Sequence, residues 1–207
     1  MIASYGCMVH TVPIMTSATA PSPRPARRAG DRRDELADVV LDLTAARGLD
    51  AVSVREVATA AGVSIGTVQH HFGTKDALLL AAFERMVQST RDRVAAVSTA
   101  GTQAARIARV LGQLLPLDDQ RDREARVYLA FAARAASTPT LAAVQSALLS
   151  ELRAELAAVL GGRAAVERAT LLLALVDGLA LQQVSSAVPL DAGTLRRVLA
   201  RAVDAVL

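Results

Sequence analysis

Aromatic residues are scarce in this chain of 207 residues: two tyrosines, three phenylalanines and no tryptophan, 2% of the sequence against 52% apolar residues overall. That balance suits Ala- and Leu-rich helices and leaves no β-rich segment. Cysteine occurs once, at Cys7, so an internal disulfide framework and a cysteine-built metal site are excluded. Histidine occurs three times, at His10, His70 and His71. The adjacent pair points to different sides of a helix and makes a poor metal site, so neither a metal nor another cofactor is implied. No glycine-rich phosphate loop appears, and no serine or cysteine has the setting of a nucleophile, which argues against catalysis. Lys75 is the sole lysine, leaving arginine to supply nearly all the positive charge of a chain with net charge +3 and pI ≈ 9.7, values that permit binding to a polyanion. No apolar run is long enough for a membrane: ATLLLALVDGLAL is too short and Asp177 interrupts it. A helix so apolar on nearly all sides belongs in a domain core or between subunits.

Helix punctuation is abundant. In SVREVATAAGVSIGTVQHHFGTKDALL, Ser53 to Leu79, Ser53 followed by Glu56 reads as a capping box. Val54, Val57 and Ala58 give the helix an apolar face, and Gly62 ends it by tolerating positive φ. Ser64 offers an N-cap for a second helix to about His70, and Thr74 for a third. A helix of this length is barely stable alone, and insertion into the DNA major groove explains why it is worth building. Ser64, Thr67, Gln69 and His70 are able to hydrogen-bond there, Gly66 allows close approach to a phosphate, and Ile65 can meet a thymine methyl. Val68 is expected to pack on the preceding helix. The same residues also fit an ordinary αα-hairpin with polar surface positions.

The amphipathic helix before RGLDAVSV, the VATAAGVSIGTV core and HHFGTKDALL leading into a long helix together resemble the DNA-binding domain of the TetR (tetracycline-repressor) family, over Arg33 to Leu79. The resemblance implies an all-α fold of about nine helices, with an N-terminal three-helix helix-turn-helix domain and a helical C-terminal ligand-binding and dimerisation domain. It implies a homodimer joined through the last two helices, a double-stranded inverted-repeat operator, repression of transcription relieved by a small-molecule effector, and a cytoplasmic protein without membrane attachment. Gln69 stands where the family usually has a tyrosine that touches a phosphate; it can read adenine bidentately or bind a phosphate. Thr67, Gln69 and His70 are candidates for base contact, with Ser64 and Ile65 beside them. Ser53, Gly66, His71 and Lys75 are candidates for phosphates, Lys75 standing at a helix N-terminus. The alternative is a helical ligand-binding or protein-interaction module on the same scaffold, without specific operator binding.

Residues 1–30 read as a disordered basic arm rather than an export signal, 31–75 as the helix-turn-helix domain and 76–207 as the ligand and dimer domain. Arg24, Arg27, Arg28, Arg32 and Arg33 can follow a phosphate backbone or enter the minor groove, or simply solvate a linker. The first helix is expected from about Arg32 to Arg47. A long helix from Thr74 to about Val97 should place Phe83, Met86, Val87, Thr90, Val94 and Val97 on one face. Thr138 before Pro139 reads as an N-cap. Leu195, Val198, Leu199, Ala202 and Val206 form a stripe on the last helix that serves a dimer seam or closes the monomer's own core. Phe83, Met86, Tyr128, Phe131 and Arg134 are the ligand candidates: Tyr128, Phe131 and Arg134, spaced by three, make an aromatic wall with a charged end that suits an amphipathic or weakly acidic ligand. Asp177, Gln182 and Gln183 are able to orient polar groups, though not all toward one pocket. The bland account has the aromatics filling core, Arg134 solvated and Asp177 paired locally.

Overall fold

The computed structural model describes residues 29–207. Among the described residues there are nine α-helices and no strand: α1 Ala29–Arg47, α2 Val54–Ala61, α3 Ile65–His71, α4 Lys75–Ala95, α5 Gln103–Leu111, α6 Asp119–Ala135, α7 Pro139–Leu160, α8 Ala165–Ser185 and α9 Ala192–Val206. Short 3-10 turns at Leu49–Ala51 and Gly112–Leu114 complete the list. Arg24, Arg27 and Arg28 lie outside the described residues. Arg32 and Arg33 belong to α1, where Arg32 pairs with Glu35 at 2.8 Å and Arg33 with Glu84 of α4 at 3.0 Å, both as exposed surface pairs on a helix. The Arg33 guanidinium also sits 5.5 Å from the centre of the Phe72 ring.

Side-chain caps start most of the helices. Ser53 accepts from the Glu56 N–H at 3.2 Å, Ser64 from Thr67 at 3.1 Å, and Thr74 from Ala77 at 3.1 Å. Each such cap is worth about 1 kcal/mol. The capping box at Ser53 is only half formed, because the Glu56 carboxylate turns to Arg47 at 2.8 Å. Gly62 ends α2 in the left-handed region, φ 64°, as the Ala-Gly turn requires. Thr138 makes no side-chain cap; Pro139 at the first position of α7, with its φ already set, starts that helix without one. α4 stops at Ala95, two residues before Val97.

Two apolar cores hold the chain. The first runs without a break from the helix-turn-helix head, through Leu36, Val57, Val68 and Phe72, into Leu79 and Phe83 of α4 and Val127 and Phe131 of α6. The second joins α5, α7, α8 and α9 around Ile107, Leu156, Leu172, Leu195, Leu199 and Val203. Leu195 and Leu199 are 1% exposed, and α9 packs on α5 and α8. Leu195 and Leu199 of the stripe therefore close the monomer core, while Val198, Ala202 and Val206 are only partly buried. No helix among the described residues is long and apolar enough to cross a membrane.

Candidate nucleic-acid interface and ligand cavity

Val68 is fully buried and pins α3 against the head, which turns Ile65, Gln69 and His70 outward. Ile65 and Gln69 are one turn apart, so they share a face. Ile65 is 47% exposed, an unusual position for a large apolar side chain unless something outside the chain covers it. The Ser64 and Thr67 hydroxyls are bonded to each other at 2.9 Å, so both are partly committed to the cap. Gly66 is exposed, and a Cβ built there meets nothing nearer than Ser64 Oγ at 3.7 Å. Nothing among the described residues requires glycine at that position. His71 is half-buried, its ring edge-on to His70 at 5.2 Å and tilted to Phe72 at 6.1 Å. Lys75 is exposed at the start of α4, with Nζ 3.9 Å from a solvent-exposed Asp50 oxygen, a pair loose enough to be exchanged for a phosphate. Ser53 is exposed beside its cap. Arg55, exposed at the start of α2 and without an ion pair among the described residues, adds a cation that the sequence reading passes over. Its signal was present: it is the only arginine or lysine between Arg47 and Lys75.

A cavity of ≈ 90 Å³ lies between α4, α6, α7 and α8. That is room for a few waters or one small organic molecule. Met86, Val87, Thr90 and Arg91 line it from α4; Arg121, Glu124 and Tyr128 from α6; Leu148, Leu149 and Leu152 from α7; Leu173, Val176 and Asp177 from α8. Of the sequence candidates, Met86, Tyr128 and Asp177 are brought together here. Phe83 and Phe131 are not: both are buried in the first core, stacked on each other with ring centres 3.8 Å apart and planes at 14°. Arg134 is exposed and holds Asp76 at the start of α4 at 2.9 Å, so the expected charged end of the wall is absent. The reason is rotational. A step of three residues falls about 60° short of a full turn, so Tyr128 and Arg134 diverge by about 120° around α6. Gln182 is exposed, and the Gln183 carboxamide bridges the loop before α9, donating to the Leu190 carbonyl at 2.8 Å and accepting its N–H at 3.0 Å.

The charges at the cavity wall are matched with one exception. Arg91 donates to both oxygens of Glu151 at 3.0 and 3.1 Å. Glu124 accepts from Arg93 at 2.5 and 2.8 Å and from Ser89 at 2.9 Å. Arg121 holds Asp118 at 2.7 Å and keeps that carboxyl below the usual range. Asp177 has no cation among the described residues. Its one hydrogen-bond partner among the described residues is the Tyr128 hydroxyl, at a long 3.4 Å, and that hydroxyl accepts from Gln145 at 3.2 Å. Burial pushes the Asp177 carboxyl up, and burial together with the Asp177 charge pushes the Tyr128 hydroxyl up.

The model for the C-terminal domain of BetI-type transcriptional repressors matches residues 103–207, and that for bacterial regulatory proteins of the tetR family matches 38–82. A transcriptional regulator from Rhodococcus sp. Rha1 of known structure is 43% identical, with a TM-score of 0.80 over 84% of this chain and 95% of its own. The transcriptional regulator BetI of Burkholderia mallei (strain NCTC 10229) is 34% identical over 168 residues, 77% of this chain and 85% of its own. The multidrug binding protein EbrR, solved with ethidium, is 29% identical, with a TM-score of 0.65 over 84% of this chain and 99% of its own. With a reading head at 38–82 and a BetI-type domain over the remaining helices, the chain belongs to the TetR family of transcriptional regulators and is not an enzyme.

Proposed function

We propose that two copies of the chain present their α3 helices to an inverted-repeat operator, and that a small molecule in the cavity between α4, α6, α7 and α8 releases them from DNA. The observation that carries the DNA reading is the combination in α3 of a fully buried Val68 with an outward Ile65, Gln69 and His70, beside a Gly66 that nothing among the described residues explains. Ile65, Gln69 and His70 face bases; Ser53, Gly66, His71 and Lys75 hold phosphates, with Arg55 added to them. Ser64 and Thr67 act through the cap they share. Residues 31–75 serve as the reading head and 76–207 as the ligand and dimer domain.

The second copy docks on the outer faces of α8 and α9. Leu171 is 61% and Leu181 51% exposed, and Ala174 and Gly178 lie between them on the same side of α8. This is an apolar strip that no other element among the described residues covers. A two-fold axis there relates the two heads, so the operator half-sites repeat at about one helical turn or a multiple of it. EbrR, a multidrug binding protein solved with ethidium, supports a small-molecule ligand for a chain of this fold. Selection of bound duplexes from a random pool tests the reading: enrichment of an inverted repeat is expected, and recovery of no repeat, or of a single half-site, refutes it. For the ligand, the operator complex is challenged with a metabolite and antibiotic panel beside Leu149→Phe, a half-buried cavity residue that tolerates enlargement. Release of wild type but not of the variant is the expected result.

A further inference from the structure

We infer that the ligand of the cavity is a protonated amine that still bears N–H bonds, a primary or secondary ammonium on an apolar body, with Asp177 as its counter-ion. This rests on the cavity reading above and names the chemical class that the cavity takes.

The argument starts from the charges. Arg91, Arg121 and Glu124 line the cavity, and each already faces an opposite charge: Glu151, Asp118 and Arg93 respectively. Asp177 alone does not. An anionic ligand would find no free cation and an uncompensated carboxylate, and a neutral ligand would leave that carboxylate buried without a partner, which is costly. A cation corrects the imbalance. Arg91 Nε is buried without an acceptor, but its charge is spent on Glu151, so it takes a hydroxyl or ether oxygen rather than an anion.

The kind of cation follows from what surrounds Asp177. A quaternary ammonium has no N–H to donate and is recognised by aromatic faces. This cavity has one aromatic lining residue, Tyr128, because Phe83 and Phe131 are stacked on each other in the core behind it. What stands there instead is a surplus of acceptors. Asp177 receives a single long hydrogen bond, from the Tyr128 hydroxyl to Oδ2, which leaves Oδ1 on the cavity wall without a donor among the described residues. Acceptors without donors ask for N–H groups. The rest of the lining, Met86, Val87, Leu148, Leu152, Leu173 and Val176, supplies the apolar wall for the amine's body.

The test uses four probes with one body: n-hexylammonium, n-hexyltrimethylammonium, hexanol and hexanoate, titrated into the full chain and read by thermal shift. Hexylammonium is expected to raise the melting midpoint with an apparent affinity about ten- to hundredfold above that of the trimethyl probe, the value of charge-assisted hydrogen bonds to a carboxylate. Asp177→Asn should erase that preference. Equal or tighter binding of the trimethyl probe, no shift with hexylammonium, or an unchanged preference in a folded Asp177→Asn protein would overturn the assignment. The selectivity is read on wild type, so it stands whether or not the variant folds. A shift by hexanol or hexanoate that Leu149→Phe abolishes, without one by hexylammonium, sinks the ammonium and leaves the cavity. Operator release by panel compounds that Leu149→Phe does not alter sinks the cavity itself.

Discussion

Phe131→Ala removes a fully buried ring from the core that runs from the reading head into α4 and α6. The side chain is 0% exposed and stacks on Phe83 at 3.8 Å, inside the core that also holds Leu79 and Val127. Truncating a buried phenylalanine costs about 3–5 kcal/mol, of which about 0.5–1.5 belongs to the ring stack itself. For a chain of this size 1 kcal/mol moves the midpoint by about 2–4 °C, so a loss of about 6–20 °C is expected. Urea denaturation followed by circular dichroism measures it, and the double-mutant cycle with Phe83→Ala isolates the stack. Had Phe131 been part of the ligand wall, the same substitution would spare the fold and weaken release by ligand. A change under about 1 kcal/mol with a selective loss of ligand response would refute the core assignment.

Gly66→Ala should leave stability unchanged or raise it by up to about 1 kcal/mol, since the site is helical and open, yet weaken operator binding; equal affinity in a mobility-shift assay would remove the backbone–phosphate approach. Lys75→Ala should weaken all DNA sequences alike and reduce the salt slope by about one, and an unaltered slope takes Lys75 off the phosphate list. Leu181→Asp, at a position 51% exposed in the single chain, should yield a folded monomer by light scattering, whereas Leu199→Asp, at 1%, should unfold the subunit; a dimeric Leu181→Asp protein moves the interface elsewhere. The raised pKa of Asp177 means the folded chain holds that proton to higher pH than the unfolded one. Its stabilising contribution is therefore complete below the unfolded value, about 3.9, and is lost as pH rises through the folded value, so without ligand Asp177→Asn should gain on wild type as pH increases. A gap in urea midpoints that does not widen across pH 4 to 8 counts against an uncompensated carboxylate.

Local chemistry was legible wherever one residue decides the outcome. Ser53, Ser64 and Thr74 cap the helices that the sequence assigns to them, and Gly62 takes the positive φ that the turn demands. Outcomes that depend on competition between partners were not. Glu56 was free to close the capping box or to meet Arg47, and only the packing of α1 against α2 brings Arg47 within reach. The stripe of α9 was apolar for either of two reasons, and sequence spacing carries no record of which surface arrives to cover it. The cavity shows the same limit in finer form. Tyr128, Phe131 and Arg134 lie within one broad sector of α6, but a divergence of about 120° sends the first to α8, the second into the core against α4 and the third to the exposed start of α4, where it meets Asp76.

Those three directions also determine how a ligand can act. α4 and α6 are tied along their length by Asp76 with Arg134, Phe83 with Phe131, and Arg93 with Glu124. They are therefore expected to move together, and the head, whose core is continuous with theirs, moves with them. The links from this pair to α7 and α8 are of a different kind: Arg91 to Glu151, and the chain from Gln145 through Tyr128 to Asp177. Both border the cavity, about 22 Å along α4 from Lys75 if Thr90 marks its level. A ligand changes DNA binding only by favouring one head position over another. An ammonium that takes Asp177 competes with the 3.4 Å hydrogen bond from Tyr128, the polar link that joins α6 to α8 among the described residues, and so acts where the lever is attached rather than where it is stiff. On this account Tyr128→Phe, which deletes that link while leaving the stacked core intact, should shift the operator affinity of the ligand-free protein toward its ligand-bound value. Unaltered operator affinity in a folded Tyr128→Phe protein would show that the α6–α8 link does not set the head position.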